Sequence, residues 1–323
     1  MLRALILVAL VAALPAVIGC GGTADRPETD ATLLLDFEPN AVHAGLYSAV
    51  ERGYDDAEGV RLRVRAPSSS AQGLKLLLAG RAEFAILDIH DLALARQEGR
   101  DVVGVLAIVQ RPLAAVLAQP GVARPAALAG RKVGVTGVPS DDAVLSSIVQ
   151  GDGGDPEAVE KVTIGFNAVA GLVGGRVAGA TSFWNVEGVA LKRKKPGVKE
   201  FRVDRYGAPG YPELVLTTTR RTLDEDPSVV RATTAAIARG YDFTLTDPES
   251  SAQDLIERNR GLERAQVMAE LDAVSPVFKD GARRFGELST ARLRQWAAWE
   301  ARFGITRKPP DVARAFGGPY VSR

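Results

Sequence analysis

The feature that most limits how this chain folds is a regular alternation of short apolar, β-branched runs with stretches of helical spacing. Residues 32–37 read as a strand, 43–53 as a helix and 60–64 as a second strand. In that second strand Val60, Leu62 and Val64 alternate with arginines, which leaves one face solvated. A helix over 70–79, ended by Gly80, and a strand over 82–87 come next. Further strands are predicted at 102–109, 132–135, 161–164, 180–183, 200–203 and 214–218, with helices in most of the gaps. Such alternation buries mostly parallel sheets under helices, so the fold class is α/β.

From Asp226 the character changes. Asp226-Pro227 makes a good N-cap and first-turn pair, and Val229, Val230, Thr233, Ile237 and Tyr241 repeat at helical spacing. The rest is mainly helical and includes Trp296 and Trp299, whose spacing places them in the core.

The amino terminus speaks to compartment. Arg3 precedes an apolar stretch over 4–17, broken only by Pro15, and Val17-Ile18-Gly19-Cys20 puts a small residue before a cysteine. This is the order of a signal peptide over 1–19, too short for a comfortable membrane span. It resembles a bacterial lipobox, in which the cysteine sulfur is acylated; an ordinary signal peptide or an anchor helix is the alternative. Cys20 is the only cysteine, which excludes disulfides and thiolate metal sites within the chain. Residues 20–30 are expected to tether lipid to domain, placing the protein outside the cytoplasm on a membrane. Forty basic residues nearly balance 39 acidic ones, and the largest basic cluster is Lys192 to Lys195, so nucleic-acid binding is not expected.

Several segments carry a family resemblance. Asp36-Phe37-Glu38-Pro39-Asn40, His43-Ala44-Gly45-Leu46-Tyr47 and Gly53-Tyr54 look like the opening signature of the NMT1/THI5-like family. Segments 76–86, 134–142, 183–189 and 206–216 are similar to later family segments, in the family's order. The resemblance implies a two-lobed, periplasmic-binding-protein-like fold of type II with a helical tail. Lobe I would comprise 31–108 plus 219–323 and lobe II 109–218, the chain crossing near 107–117 and again near 213–219. It also implies a binding protein that delivers a thiamine pyrimidine precursor to an ABC importer. The partners would be a small heterocyclic ligand, a permease and, through Cys20, the membrane; the chain is expected to be a monomer. Another small solute, such as a sulfonate or flavin precursor, is the alternative within the family.

The family also includes a pyrimidine-phosphate synthase. That enzyme uses a cysteine-rich iron motif, which is missing here, and His43 and His90 are the only histidines. The expectation is therefore a binding protein without catalytic residues, cofactor or metal.

An aminopyrimidine needs aromatic faces and a few polar groups in the ring plane. Tyr47, Trp184 and Tyr211 are the candidate faces, and Asn185 and Glu187 the candidate edge readers. Asn40 and His43 follow the first strand, where α/β ligands usually bind. Ser140 could offer its hydroxyl to a ligand substituent, or, with Asp141 and Asp142, only cap a helix. A purely structural duty is the alternative for three of these residues: Trp184 capping the core, Glu187 answering the helix dipole, Asn40 ending a turn. Glu213 would read ligand or hold the hinge, and Asp88 would cap a helix. Residues 134–137 are no dinucleotide fingerprint, because the third glycine is missing.

Overall fold

The computed structural model describes residues 29–69 and 71–322. The predicted signal peptide, the Cys20 lipid site and most of the tether lie outside these residues. Thr29 and Asp30, expected in the tether, instead open strand β1 (Thr29–Leu34), pairing with Val60 and Arg61 of β2 (Val60–Arg65). The arginine alternation of β2 behaves as expected: Val60 and Leu62 are buried, while Arg61, Arg63 and Arg65 are exposed on an edge strand.

The strands that follow are β3 (Phe84–Asp88), β4 (Val102–Ala107), β5 (Ala114–Ala118), β6 (Lys132–Val135) and β7 (Glu160–Thr163). After them come β8 (Gly179–Phe183), β9 (Lys199–Arg202) and β10 (Leu214–Thr219). They form two five-stranded sheets, ordered β2-β1-β3-β10-β4 and β7-β6-β8-β5-β9. Each sheet contains one reversed strand: β10 is antiparallel to β3 and β4, and β5 to β8 and β9. Those reversed strands are where the chain changes lobe.

The first crossing runs from the end of β4 to the start of β5, and the second from β9 to the start of β10. Two expectations need correction here. Residues 114–117, expected within the first crossing, belong to strand β5; Ala114-Ala115-Val116-Leu117-Ala118 carries little β-branched signal. The segment 214–218, expected in lobe II, hydrogen-bonds as β10 into the first sheet, so the return crossing ends before Leu214.

The helical tail begins as the sequence indicates. Asp226 accepts the amide of Val229 and Pro227 occupies the first turn of the helix Pro227–Thr246. This helix packs on Ala44–Glu51 almost backbone to backbone: a Cβ on Gly240 would sit 1.9 Å from the Gly45 carbonyl oxygen. Trp296 and Trp299 are buried, as their spacing predicts. No helix among the described residues is long and apolar enough to cross a membrane.

Candidate functional site

The carboxyl ends of strands from both sheets face each other across a cavity of about 110 Å³. Residues after β1 and β3 line it on one side, and residues after β6, β7 and β8 on the other.

Two features dominate the lining. The first is acidic: Asp36, Asp88, Asp91, Asp141 and Glu187 all contribute, and no Lys, Arg or His is among the described lining residues. The second is aromatic: Phe37 from lobe I meets Phe166 from lobe II edge to face, with Phe183 nearby in the wall.

Hydrogen bonds hold three of these acids in place. Asp36 accepts from His43 Nε2 at 2.9 Å, and His43 Nδ1 accepts the Asn40 amide at 3.2 Å. The second bond fixes the tautomer, so His43 donates to Asp36. Asp88 caps the helix Ile89–Gln97 by accepting the His90 amide at 2.8 Å. Asp141 takes the Thr136 hydroxyl and the amides of Gly137 and Val138 on one oxygen, and the Thr181 hydroxyl on the other. That carboxylate pulls the 136–138 turn to the cleft, and Gly137 supplies the positive φ (103°) the turn requires.

Burial raises three of the acids, Asp88, Asp91 and Glu187. It is the largest influence on Glu187, which is pushed up to about 7, with Glu270 and Asp36 adding repulsion against bonds from the Glu187 and Phe183 amides. Burial likewise carries Asp91 to about 6, although the hydroxyl and amide of Ser140, from the other lobe, pull it down.

Of the eight residues singled out in the sequence, Asn40, Ser140 and Glu187 line the cavity. Asn40 spends its side-chain oxygen on the Val42 amide and its NH₂ on the Glu38 carbonyl. His43 stands behind Asp36 and is fully buried. Tyr47 donates to Asn259 at 3.2 Å, away from the cleft. The Trp184 indole donates to the Pro112 carbonyl at 3.0 Å and carries the Arg202 guanidinium 3.9 Å from its ring, so it braces the first crossing. Asn185 is fully buried with an unpartnered amide and is absent from the lining. Tyr211 is fully buried against His90 and Trp299.

Asp36 and Phe37 belong to the opening motif and sit at the end of β1, so the strand-end rule that selected Asn40 reaches them equally. Phe166 carries no local signal, since only the pairing of β6 with β7 places it at the cleft.

A second cluster lies under the floor. His90 faces Glu300 through Nδ1 and the Tyr211 hydroxyl through Nε2 at 3.0 Å. Burial would lower this imidazole, but the Glu300 and Asp88 carboxyls outweigh it and carry it to about 9. Asp88, His90 and Glu213 place one potential ligand atom each within 4.8 Å of one another.

The sequence model described as "NMT1/THI5 like" matches residues 40–251. A formylaminopyrimidine-binding protein of Halalkalibacterium halodurans is 33% identical over 227 residues, covering 69% of each chain. The 4-amino-5-hydroxymethyl-2-methylpyrimidine phosphate synthase THI5 of Saccharomyces cerevisiae is 22% identical over 309 residues, 90% of this chain and 87% of that one. Among solved structures, the alkanesulfonate-binding protein SsuA of Xanthomonas axonopodis pv. citri, bound to MOPS, superposes with a TM-score of 0.72 at 16% identity. That match covers 90% of this chain and 99% of the other, so the fold is that of a two-lobed periplasmic binding protein. On the family match and the 33% relative together, the chain belongs to the NMT1/THI5-like family.

Proposed function

We propose that this chain is the solute-binding protein of an ABC importer and captures an aminopyrimidine precursor of thiamine, such as formylaminopyrimidine, between its lobes. The observation that carries the proposal is the lining: acids without a facing cation, beside phenylalanine rings. Amino groups and protonated ring nitrogens are donors, and buried carboxylates are their natural acceptors. A sulfonate or nitrate would instead meet like charge, with no Lys, Arg or His among the described lining residues to offset it. The formylaminopyrimidine-binding relative supports the same ligand class.

Capture suits the cleft better than catalysis. Both histidines are fully buried, with both ring nitrogens facing protein groups, and neither lines the cavity. We further propose that the chain is exported, cleaved before Cys20 and held on the membrane by lipid at that cysteine. Mass spectrometry of the solute that co-purifies from the host tests the ligand: a one-ring aminopyrimidine is expected, and an organic anion would refute the reading. Membrane fractionation of Cys20→Ala tests the anchor, with release or an unprocessed precursor expected.

A further inference from the structure

The lobe II wall of the cavity carries the hydroxyls of Thr136, just after β6, and of Thr181 and Ser182 in β8. The chain itself has spent the proton of each. Thr136 donates to Asp141 Oδ2 at 2.8 Å and Thr181 to Asp141 Oδ1 at 2.6 Å. A second acceptor near Thr181, the Gly134 carbonyl, stands at 3.5 Å and also belongs to the protein. Ser182 donates to the Thr181 carbonyl at 2.7 Å. A hydroxyl has one proton and two lone pairs, so once its proton is committed it can only accept.

Asp141 is the centre of this arrangement. It lies in the first turn of the helix Pro139–Gly151 and is buried. Besides the two threonines, its Oδ2 takes the amides of Gly137 at 2.8 Å and Val138 at 3.1 Å. Both oxygens are therefore engaged, and four donors meet on one carboxylate. Reaching back to the Val138 amide is the ordinary duty of an acid at this place in a helix, but that duty does not account for the two threonines. Lys161 is paired with Asp142 Oδ1 at 3.1 Å and is not in the lining, so it brings no compensating charge to the wall.

We propose that Asp141 sets the hydrogen-bonding polarity of this wall: as a built-in anion it occupies the four donors and leaves Thr136, Thr181 and Ser182 to offer a ligand only lone pairs. A ligand N–H or O–H is then accepted at the wall, whereas a carbonyl or sulfonate oxygen meets lone pairs opposed to its own. Asp141 acts through the hydroxyls and is a positioning residue for ligand choice. The inference rests on the proposed reading of the cavity as the ligand site, and it names what turns an acceptor-rich solute away.

Asp141→Ala is the informative variant, because it frees all four donors and leaves room for a small anion. The probe is methanesulfonate, followed by titration calorimetry and by thermal unfolding, with wild type in the same buffer. The variant should bind it at least about tenfold more tightly than wild type and gain melting temperature from it. A folded Asp141→Ala that binds methanesulfonate no better than wild type would overturn the proposal.

Asp141→Asn keeps the test open if the alanine variant does not fold. Its carbonyl oxygen retains the Gly137 and Val138 amides, while its NH₂ faces Thr181 and frees that hydroxyl's proton for a ligand. It should hold methanesulfonate more tightly than wild type and 4-amino-5-hydroxymethyl-2-methylpyrimidine less tightly, each by about threefold or more. An unchanged preference between the two solutes would count against the proposal. So would an equal gain of methanesulfonate by Glu187→Gln, which removes a lining charge without releasing these donors. If wild type binds no pyrimidine, the ligand reading fails while the methanesulfonate comparison still decides the role of Asp141.

Discussion

Phe37 and Phe166 touch across the cleft from opposite lobes, their ring centroids 4.4 Å apart and their planes inclined at 68°. An edge-to-face pair at that spacing lines the cavity with apolar surface from both lobes. A planar ligand entering the cleft would part the two rings and stack against at least one of them. Phe166→Ala should therefore weaken ligand binding by on the order of 1–2 kcal/mol. The partly exposed ring contributes less to folding, so calorimetric affinity should change far more than the melting temperature.

Glu187 sits in the first turn of the helix Glu187–Lys194 and faces the same cavity. Glu187→Ala would leave a ligand donor unpaired in a buried site, which typically costs about 1–3 kcal/mol. Glu187→Gln keeps the shape and one acceptor. Its affinity should fall between wild type and the alanine variant. Equal affinities for all three would remove Glu187 from the ligand edge.

Trp184 is the strongest aromatic candidate in the sequence, yet its indole is committed to Pro112 and Arg202. Trp184→Ala should destabilise the chain by about 3–5 kcal/mol, the usual range for emptying a buried aromatic site. Trp184→Phe loses mainly one hydrogen bond, roughly 1 kcal/mol. Denaturant titration checks both, and any loss of affinity should track the loss of fold.

The pH dependence of stability has a definite sign. His90 stands at about 9, Glu213 and Glu187 at about 7 and Asp91 at about 6, each above its ordinary value. Groups that bind protons more tightly when folded stabilise fully below their ordinary values, and that stability is lost as pH rises through the folded ones. Asp152, Asp247 and Glu287 are lowered and act oppositely, their contribution being lost only as pH falls into the acid range. The melting temperature should peak in mildly acidic solution and fall toward about pH 9, where His90 gives up its proton last. A curve that rises through the same range would contradict the buried cluster.

Local signals carry the elements and long-range pairing carries the site. The β2 alternation and the Asp226-Pro227 cap are legible because burial and capping act within a few residues. The strand β5 is not, since alanines take their strand conformation here from the neighbours β8 and β9. In the site, Asn40, Ser140 and Glu187 stand near strand ends and line the cavity, where strand order alone suffices. Tyr47, Trp184 and Tyr211 stand out as aromatics, but which way a ring turns depends on partners far off in sequence: Asn259, Pro112 and His90. Phe166 becomes visible only once the second sheet brings it opposite Phe37.

On the proposed function, an acid-lined cleft bordered by phenylalanine rings should select a donor-rich ring over an anion. Titration calorimetry of the purified chain with formylaminopyrimidine, 4-amino-5-hydroxymethyl-2-methylpyrimidine and an alkanesulfonate tests it most directly. Saturable binding of at least one pyrimidine is expected, with no detectable heat from the sulfonate up to about 1 mM, a limit equivalent to about 4 kcal/mol of binding. Saturable sulfonate binding together with silent pyrimidines would contradict it.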